Sequence, residues 1–319
     1  MPKHPCLSSF ITLTAVTMAI AACTEPSKTL PEAAMSDTAP SASSAPSPPT
    51  AQPVPPTSSA AAEPSTPCPK DMVLVPAQKP YCIDRWEAVV VDKKSGRRFS
   101  PYYSPLPKSA RSIRDIWQKK RLEVGDATAR AMPLPPLPEW QLSDDTIPMA
   151  VSLPGQTPQG YLSGKVARMV CENAGKRLCS PSEWVHACRG VANRPFPYGD
   201  TYQQGACNIF RFTHPAGALH DDVTTGHLDP RLNQVKDKQG LLLRPTGETK
   251  TCASQWGNDA VYDMVGNLDE WVEDEKGMFL GGFFSRSKKD GCASVVKNHP
   301  NEYWDYSLGV RCCRAMQEQ

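Results

Sequence analysis

The sequence lacks several things that would direct its reading. It has no stretch long and apolar enough to make a good membrane-spanning helix, no internal repeat and no C-x-x-C pair. It has no excess of one charge: 35 Lys and Arg stand against 33 Asp and Glu, a formal net charge of +2. That balance excludes the strongly basic face a nucleic-acid partner needs. Without C-x-x-C pairs the usual zinc knuckles have no footing, and the adjacent Cys312-Cys313 is poor spacing for one. What the sequence has in excess is proline, 33 residues, and cysteine, 12 residues, both unevenly spread.

The N-terminus reads as an export signal, residues 1–22. Lys3 and His4 give a basic start, and Leu7 to Ala22 is apolar but short and interrupted by serine and threonine. It ends in Ile20-Ala21-Ala22-Cys23, which resembles the lipobox of bacterial lipoproteins. That resemblance implies a lipid on Cys23, a membrane anchor and a cell-envelope location, and Thr24 after the cysteine favours the outer membrane. The rival is an ordinary signal peptide that contains a cysteine. Residues 24–67 hold eleven prolines, nine serines, nine alanines and no aromatic residue. Such a segment cannot bury enough apolar surface to offset its ordering entropy, so 23–67 reads as a disordered tether.

Cys6 falls in the signal and Cys23 takes the lipid, which leaves ten cysteines between Cys68 and Cys313. An even number in an exported chain implies a disulfide framework, with zinc as the rival. Met72–Val75 and Tyr81–Asp84 read as a hairpin bracketed by Cys68 and Cys82, which are expected to pair. Residues 97–160 are rich in proline. One helical patch, 112–124, sets Ile113, Ile116 and Trp117 on one face. The run 132–138 reads either as an SH3-type ligand or as a rigid connector, and the connector is preferred. A helix over 166–174 stops at Gly175. Ser180-Pro181-Ser182-Glu183 then makes a capping box with proline at the first helical position. Trp184, Ala187 and Cys188 of this second helix share an inward face. Later come a strand over 279–284 and a last element over 308–313. Few helices among many short strands and long loops argue for an α+β fold.

Seven blocks, in order, resemble the formylglycine-generating enzyme, or sulfatase-modifying factor, family. They are MVLVPA (72–77), AGKRLCSPSEWVHACRG (174–190), PYGD (197–200), CNIF (207–210), YDMVGNLDEW (262–271), LGGFF (280–284) and LGVRC (308–312). The resemblance spans most of 68–319. It implies a C-type-lectin-like fold with little regular secondary structure, disulfide-rich, with insertions at about 97–160 and 214–250. It implies the pair Cys171–Cys312, and a second pair from Cys188 to Cys292. Cys179 with Cys313 and Cys207 with Cys252 complete the set, though sequence alone cannot fix connectivity. Asp84, Arg85 and Glu87 match an early family pattern and are expected to be structural.

The resemblance also implies metals. A structural calcium is expected at Asn267, Leu268, Glu270 and Val272, and a second at Asn208 and Ile209, with Asp222 as a further ligand. Oxygen ligands from one tight loop suit calcium. The family's oxidase holds Cu(I) between two cysteine thiolates, as a soft ion requires. Here the matching strand reads Gly281-Gly282-Phe283-Phe284-Ser285-Arg286. Phe283 replaces a serine, Arg286 stands at the first cysteine and Gly291 at the second, with Cys292 one place on. Cys292 is the one catalytic candidate, and it is expected to be bound to Cys188. His214, His220 and His227, with Asp221, Asp222 and Asp229, read as a solvated polar loop, with a transition-metal site as the rival. His186 reads as a packed core histidine. The family's iron-dependent sulfoxide synthases need histidines from a separate helical domain, which is absent. The preferred expectation is an envelope-tethered, calcium-stabilised module without oxidase activity that binds a protein, peptide or glycan. The alternative is a divergent formylglycine-generating oxidase, with copper or another metal.

Overall fold

The computed structural model describes residues 67–316. The expected signal, Cys23 and nearly all of the tether lie outside the described residues.

The helices are α1 (Pro107–Lys120), α2 (Ala127–Ala131), α3 (Gly164–Asn173), α4 (Pro181–Arg189) and α5 (Pro215–His220). The strands are short: β1 (Met72–Val75), β2 (Tyr81–Asp84), β3 (Ala88–Asp92), β4 (Pro148–Ser152), β5 (Arg177–Leu178), β6 (Lys236–Asp237), β7 (Gly240–Leu241), β8 (Ala253–Trp256), β9 (Asp259–Tyr262), β10 (Asp269–Trp271), β11 (Met278–Leu280), β12 (Val295–Lys297), β13 (Leu308–Val310) and β14 (Cys312–Ala315). One four-stranded sheet runs β1-β2-β14-β5 and the other β12-β11-β10-β13; β10 and β13 pair in parallel. The fold is α+β with little regular secondary structure.

Local chemistry accounts for the α3–α4 unit. Ser163 caps α3 by accepting the N–H of Val166, and Gly175 turns the chain with φ +68°. Ser180 accepts the N–H of Glu183 while the Glu183 carboxylate accepts the N–H of Ser180. Pro181 opens α4, and Trp184, Ala187 and Cys188 are buried. On α1 the periodicity shifts from the expectation. Ala110, Ile113 and Trp117 face inward, whereas Ile116 is half exposed. Three residues from 113 to 116 and four from 113 to 117 point to different edges of a 3.6-residue turn, and only one edge meets the body.

Five disulfides join Cys68–Cys82, Cys171–Cys312, Cys179–Cys313, Cys188–Cys292 and Cys207–Cys252. The neighbours Cys312 and Cys313 serve two different cores because successive side chains of a strand point to opposite faces. Cys312 and Cys171 sit in a core with Val166, Val170 and Trp271. Cys313 and Cys179 sit in a core with Trp184, Val261 and Met264. Strand β14 thus lies between the two cores and is bolted to both.

Candidate functional site

Two places in the fold bear on chemistry: the polar network at the calcium expectation, and the cavity that Arg286 lines.

The network is centred on Arg311 and Glu270, which have essentially no exposed surface. Arg311 donates to both Glu270 oxygens at 2.9–3.2 Å and to the carbonyls of Asp84 and Tyr262. Trp184 Nε1 donates to Glu270 Oε2 at 2.6 Å. Asn267 takes up φ +61°, a conformation asparagine tolerates. Its Oδ1 accepts Asn208 Nδ2 and the N–H of Arg244, at 2.9 and 3.0 Å. Its Nδ2 donates to Glu87 at 2.6 Å, and the N–H of Leu268 reaches the other Glu87 oxygen. Burial pushes Glu87 well above the usual carboxylate range, and the nearby charges of Asp263 and Glu270 add to it. The turn that sets this geometry needs Gly266: at φ +83° a Cβ would meet the Asn208 carbonyl oxygen at 2.3 Å.

A calcium ion needs six to eight oxygens with lone pairs to give. The residues expected to hold one do not fit it. The side-chain oxygens of Asn267 and Glu270 already accept N–H donors, and a guanidinium lies against Glu270. Leu268 and Val272, which the resemblance casts as backbone-carbonyl ligands, are buried beside them. The second expected site fares likewise. Asn208 Oδ1 accepts Arg211 Nη1 at 3.0 Å. Ile209 is a core residue, and Asp222 is exposed on a turn that it closes through Thr224. Among the described residues no group of three or more His, Cys, Asp or Glu could hold a metal ion.

The cavity lies between the segment after β11, the loop before β13 and the insertion. Arg286 lines it, with Phe283, His214, His227, His299, Tyr303 and Asp305 among its walls, and its volume is about 190 Å³. Arg286 bonds through Nη2 to Asp269, which is buried. Burial pushes Asp269 up to about 6, with Arg286 pulling the other way. The guanidinium also lies 5.2 Å from the Phe283 ring centroid. Cys292 is held by Cys188 with an S–S distance of 1.98 Å. Neither position can therefore give a thiolate, and the residues present do not fit a bis-thiolate copper ion.

The insertion is not the solvated loop expected from its composition. His220 and Asp229 are buried and meet at 2.9 Å, and the fully buried Arg231 binds the same carboxylate at 2.6 Å. His220 stacks on Trp117 at 5.2 Å. Asp221 and Asp222 stay exposed, while His214 and His227 line the cavity. Half-buried His186 is less enclosed than a core histidine. It sits at the rim of an open groove, tilted against Trp256, with Nε2 3.1 Å from the Pro76 carbonyl. Sequence reasoning missed the cavity, because its walls come from segments far apart in the chain. It missed Arg311 as the partner of Glu270, although both lie inside quoted blocks.

Residues 146–316 match the Sulfatase-modifying factor enzyme 1-like domain. The chain belongs to this family. Among curated proteins it is 26% identical over 169 residues to "Inactive C-alpha-formylglycine-generating enzyme 2" of Bos taurus, covering 49% of each chain. It is 30% identical over 118 residues to the "Formylglycine-generating enzyme" of Mus musculus, covering 37% of this chain and 27% of that one. The chain thus spans half or less of the length of these relatives. Among solved structures, PvdO from Pseudomonas aeruginosa is 14% identical with a TM-score of 0.36, over 76% of this chain and 82% of that one. CarF gives the same identity and score over 75% and 87%.

Proposed function

We propose that this sulfatase-modifying factor domain works as a binding or accessory module of the cell envelope and not as an oxidase. The observation that carries the reading is Arg286. It brings a fixed positive charge to the place where the family's first copper-binding cysteine stands, and it is paired there with a buried aspartate. The family's copper chemistry needs two thiolates, and Cys292 is engaged in a disulfide. One relative, matched over 169 residues, bears the name of an inactive enzyme. The reading includes a lipid on Cys23, a proline-rich tether, an outer-membrane location, and a protein, peptide or glycan partner, without nucleic acid. Calcium is left out of the reading, because the side-chain oxygens of Asn267 and Glu270 already accept donors.

The test is a single-turnover assay of the copper-loaded full chain with a cysteine peptide, read by mass spectrometry for the aldehyde. No aldehyde above the metal-only control is expected. Turnover that depends on the protein would replace this reading with a divergent formylglycine-generating oxidase. Labelling with a fatty-acid analogue, lost in Cys23→Ala, checks the anchor.

A further inference from the structure

The cavity beside Arg286 has one carboxylate in its wall, Asp305, and another behind Arg286, Asp269, and both already have donors. Asp305 Oδ1 accepts the N–H and Oγ of Ser307 at 2.8 and 2.7 Å, and Oδ2 accepts the Tyr303 hydroxyl at 2.6 Å. Asp269 Oδ1 accepts the N–H of Gly282 at 3.0 Å, and Oδ2 accepts Arg286. The cavity's donors are not all in use. The bond to Asp269 is the one side-chain hydrogen bond that Arg286 makes among the described residues, and its Nε is buried without a partner. The side chain is 24% exposed where it lines the cavity. His214 meets the Tyr306 hydroxyl through Nε2 at 3.2 Å, and its Nδ1 is buried without a partner among the described residues. Burial holds His214 below its ordinary value, so the neutral ring is the relevant one.

We infer that this cavity binds a small carboxylate with an aromatic or flat apolar body. The inference rests on the reading of the domain as a non-oxidase module and names the class of its ligand. The carboxylate accepts from the Arg286 guanidinium, a planar fork that suits two oxygens and whose side chain is partly exposed in the cavity. The body lies among rings: Phe283 is 5.8 Å from Tyr306 and 6.1 Å from His214, and His299 is 4.6 Å from Tyr303. The volume of about 190 Å³ lies below the roughly 300–1,000 Å³ of pockets for drug-sized ligands, which points to a ligand of about one ring. A cationic ligand is repelled by the guanidinium, and the two nearby carboxylates that would attract it already have donors on each oxygen.

The test is calorimetric titration of the full chain at pH 7 with benzoate, benzyl alcohol and benzylamine, three probes of one shape and different charge. Benzoate is expected to bind at least tenfold tighter than either of the others. The preference is expected to vanish in the double variant Asp269→Asn, Arg286→Met, which removes the guanidinium without stranding a buried charge. The charge series on the unaltered chain stands even if a variant fails to fold. Equal binding of the three probes, preference for benzylamine, or undiminished benzoate binding in a folded double variant would overturn the inference. A chain that neither prefers benzoate nor oxidises the cysteine peptide loses this ligand class alone. Oxidation of the peptide removes the reading beneath it.

Discussion

Arg311 shows how much one residue decides here. It has no exposed surface, yet it neutralises Glu270 and satisfies the carbonyls of Asp84 and Tyr262. Arg311→Met is expected to leave a buried carboxylate unpaired and to cost about 3–5 kcal/mol, read from the urea midpoint. Replacing Glu270 by glutamine in the same chain should recover part of that loss. The same occupied oxygens predict that a chelator such as EGTA leaves the thermal midpoint unchanged; a clear fall would return calcium to Asn267 and Glu270. The sequence made Glu270 visible as a motif residue but not its partner. A motif gives residue types in a row, whereas the guanidinium that takes the carboxylate lies 41 residues further on. Arg286 was more legible, because it could be read against a pattern that has a cysteine at that place.

At the scale of elements, local signals were read well and distant pairings less so. The capping box at Ser180 and Glu183 needs only three residues of spacing, and it opens α4 as expected. Ser180→Ala is predicted to destabilise the domain by about 1 kcal/mol, because Ser180 Oγ accepts the N–H of Glu183 at 3.2 Å. A loss below a few tenths would mean that Pro181 and Glu183 hold the helix start alone. The strand expected over 279–284 ends instead at Leu280, since Gly281 and Gly282 take φ of +95° and +78° and leave the ladder. The stretch 97–160 gave no sign of β4, whose partner β3 lies across some sixty residues of proline-rich chain. The pairs expected from the resemblance, Cys171–Cys312 and Cys188–Cys292, and from bracketing, Cys68–Cys82, are joined, and so are the two that merely completed the set. The two-sided use of Cys312 and Cys313 follows from strand alternation, which a pair of adjacent letters does not display.

Across the whole molecule, buried carboxylates set how stability answers to pH. Burial pushes Asp263 and Asp269 up to about 6, from 3.8 in the open chain, and Glu87 moves the same way. Between those values the folded chain keeps protons that the unfolded chain has released. Their contribution is therefore full below the unfolded value and is lost as pH rises through the folded one. The urea midpoint is expected to rise when pH is lowered from 7 to about 5. Asp229 acts in the other sense at lower pH: bonds from His220 and Arg231 outweigh its burial and hold it below the ordinary range. A midpoint that is flat or falls between pH 7 and 5 would mean these carboxylates are more solvated than their burial implies.

The claim that most depends on the molecule as a whole is that no thiolate is left for copper: a paired arginine stands at the first of the resemblance's two cysteine positions, and the cysteine next to the second is held in a disulfide. Thiol counting with non-reducing peptide mapping, on full chain exported to an oxidising compartment, tests it directly. The account predicts a Cys188–Cys292 peptide and no free thiol from Cys68 to Cys313. Alkylation of Cys292 without prior reduction would contradict it and reopen the site to copper.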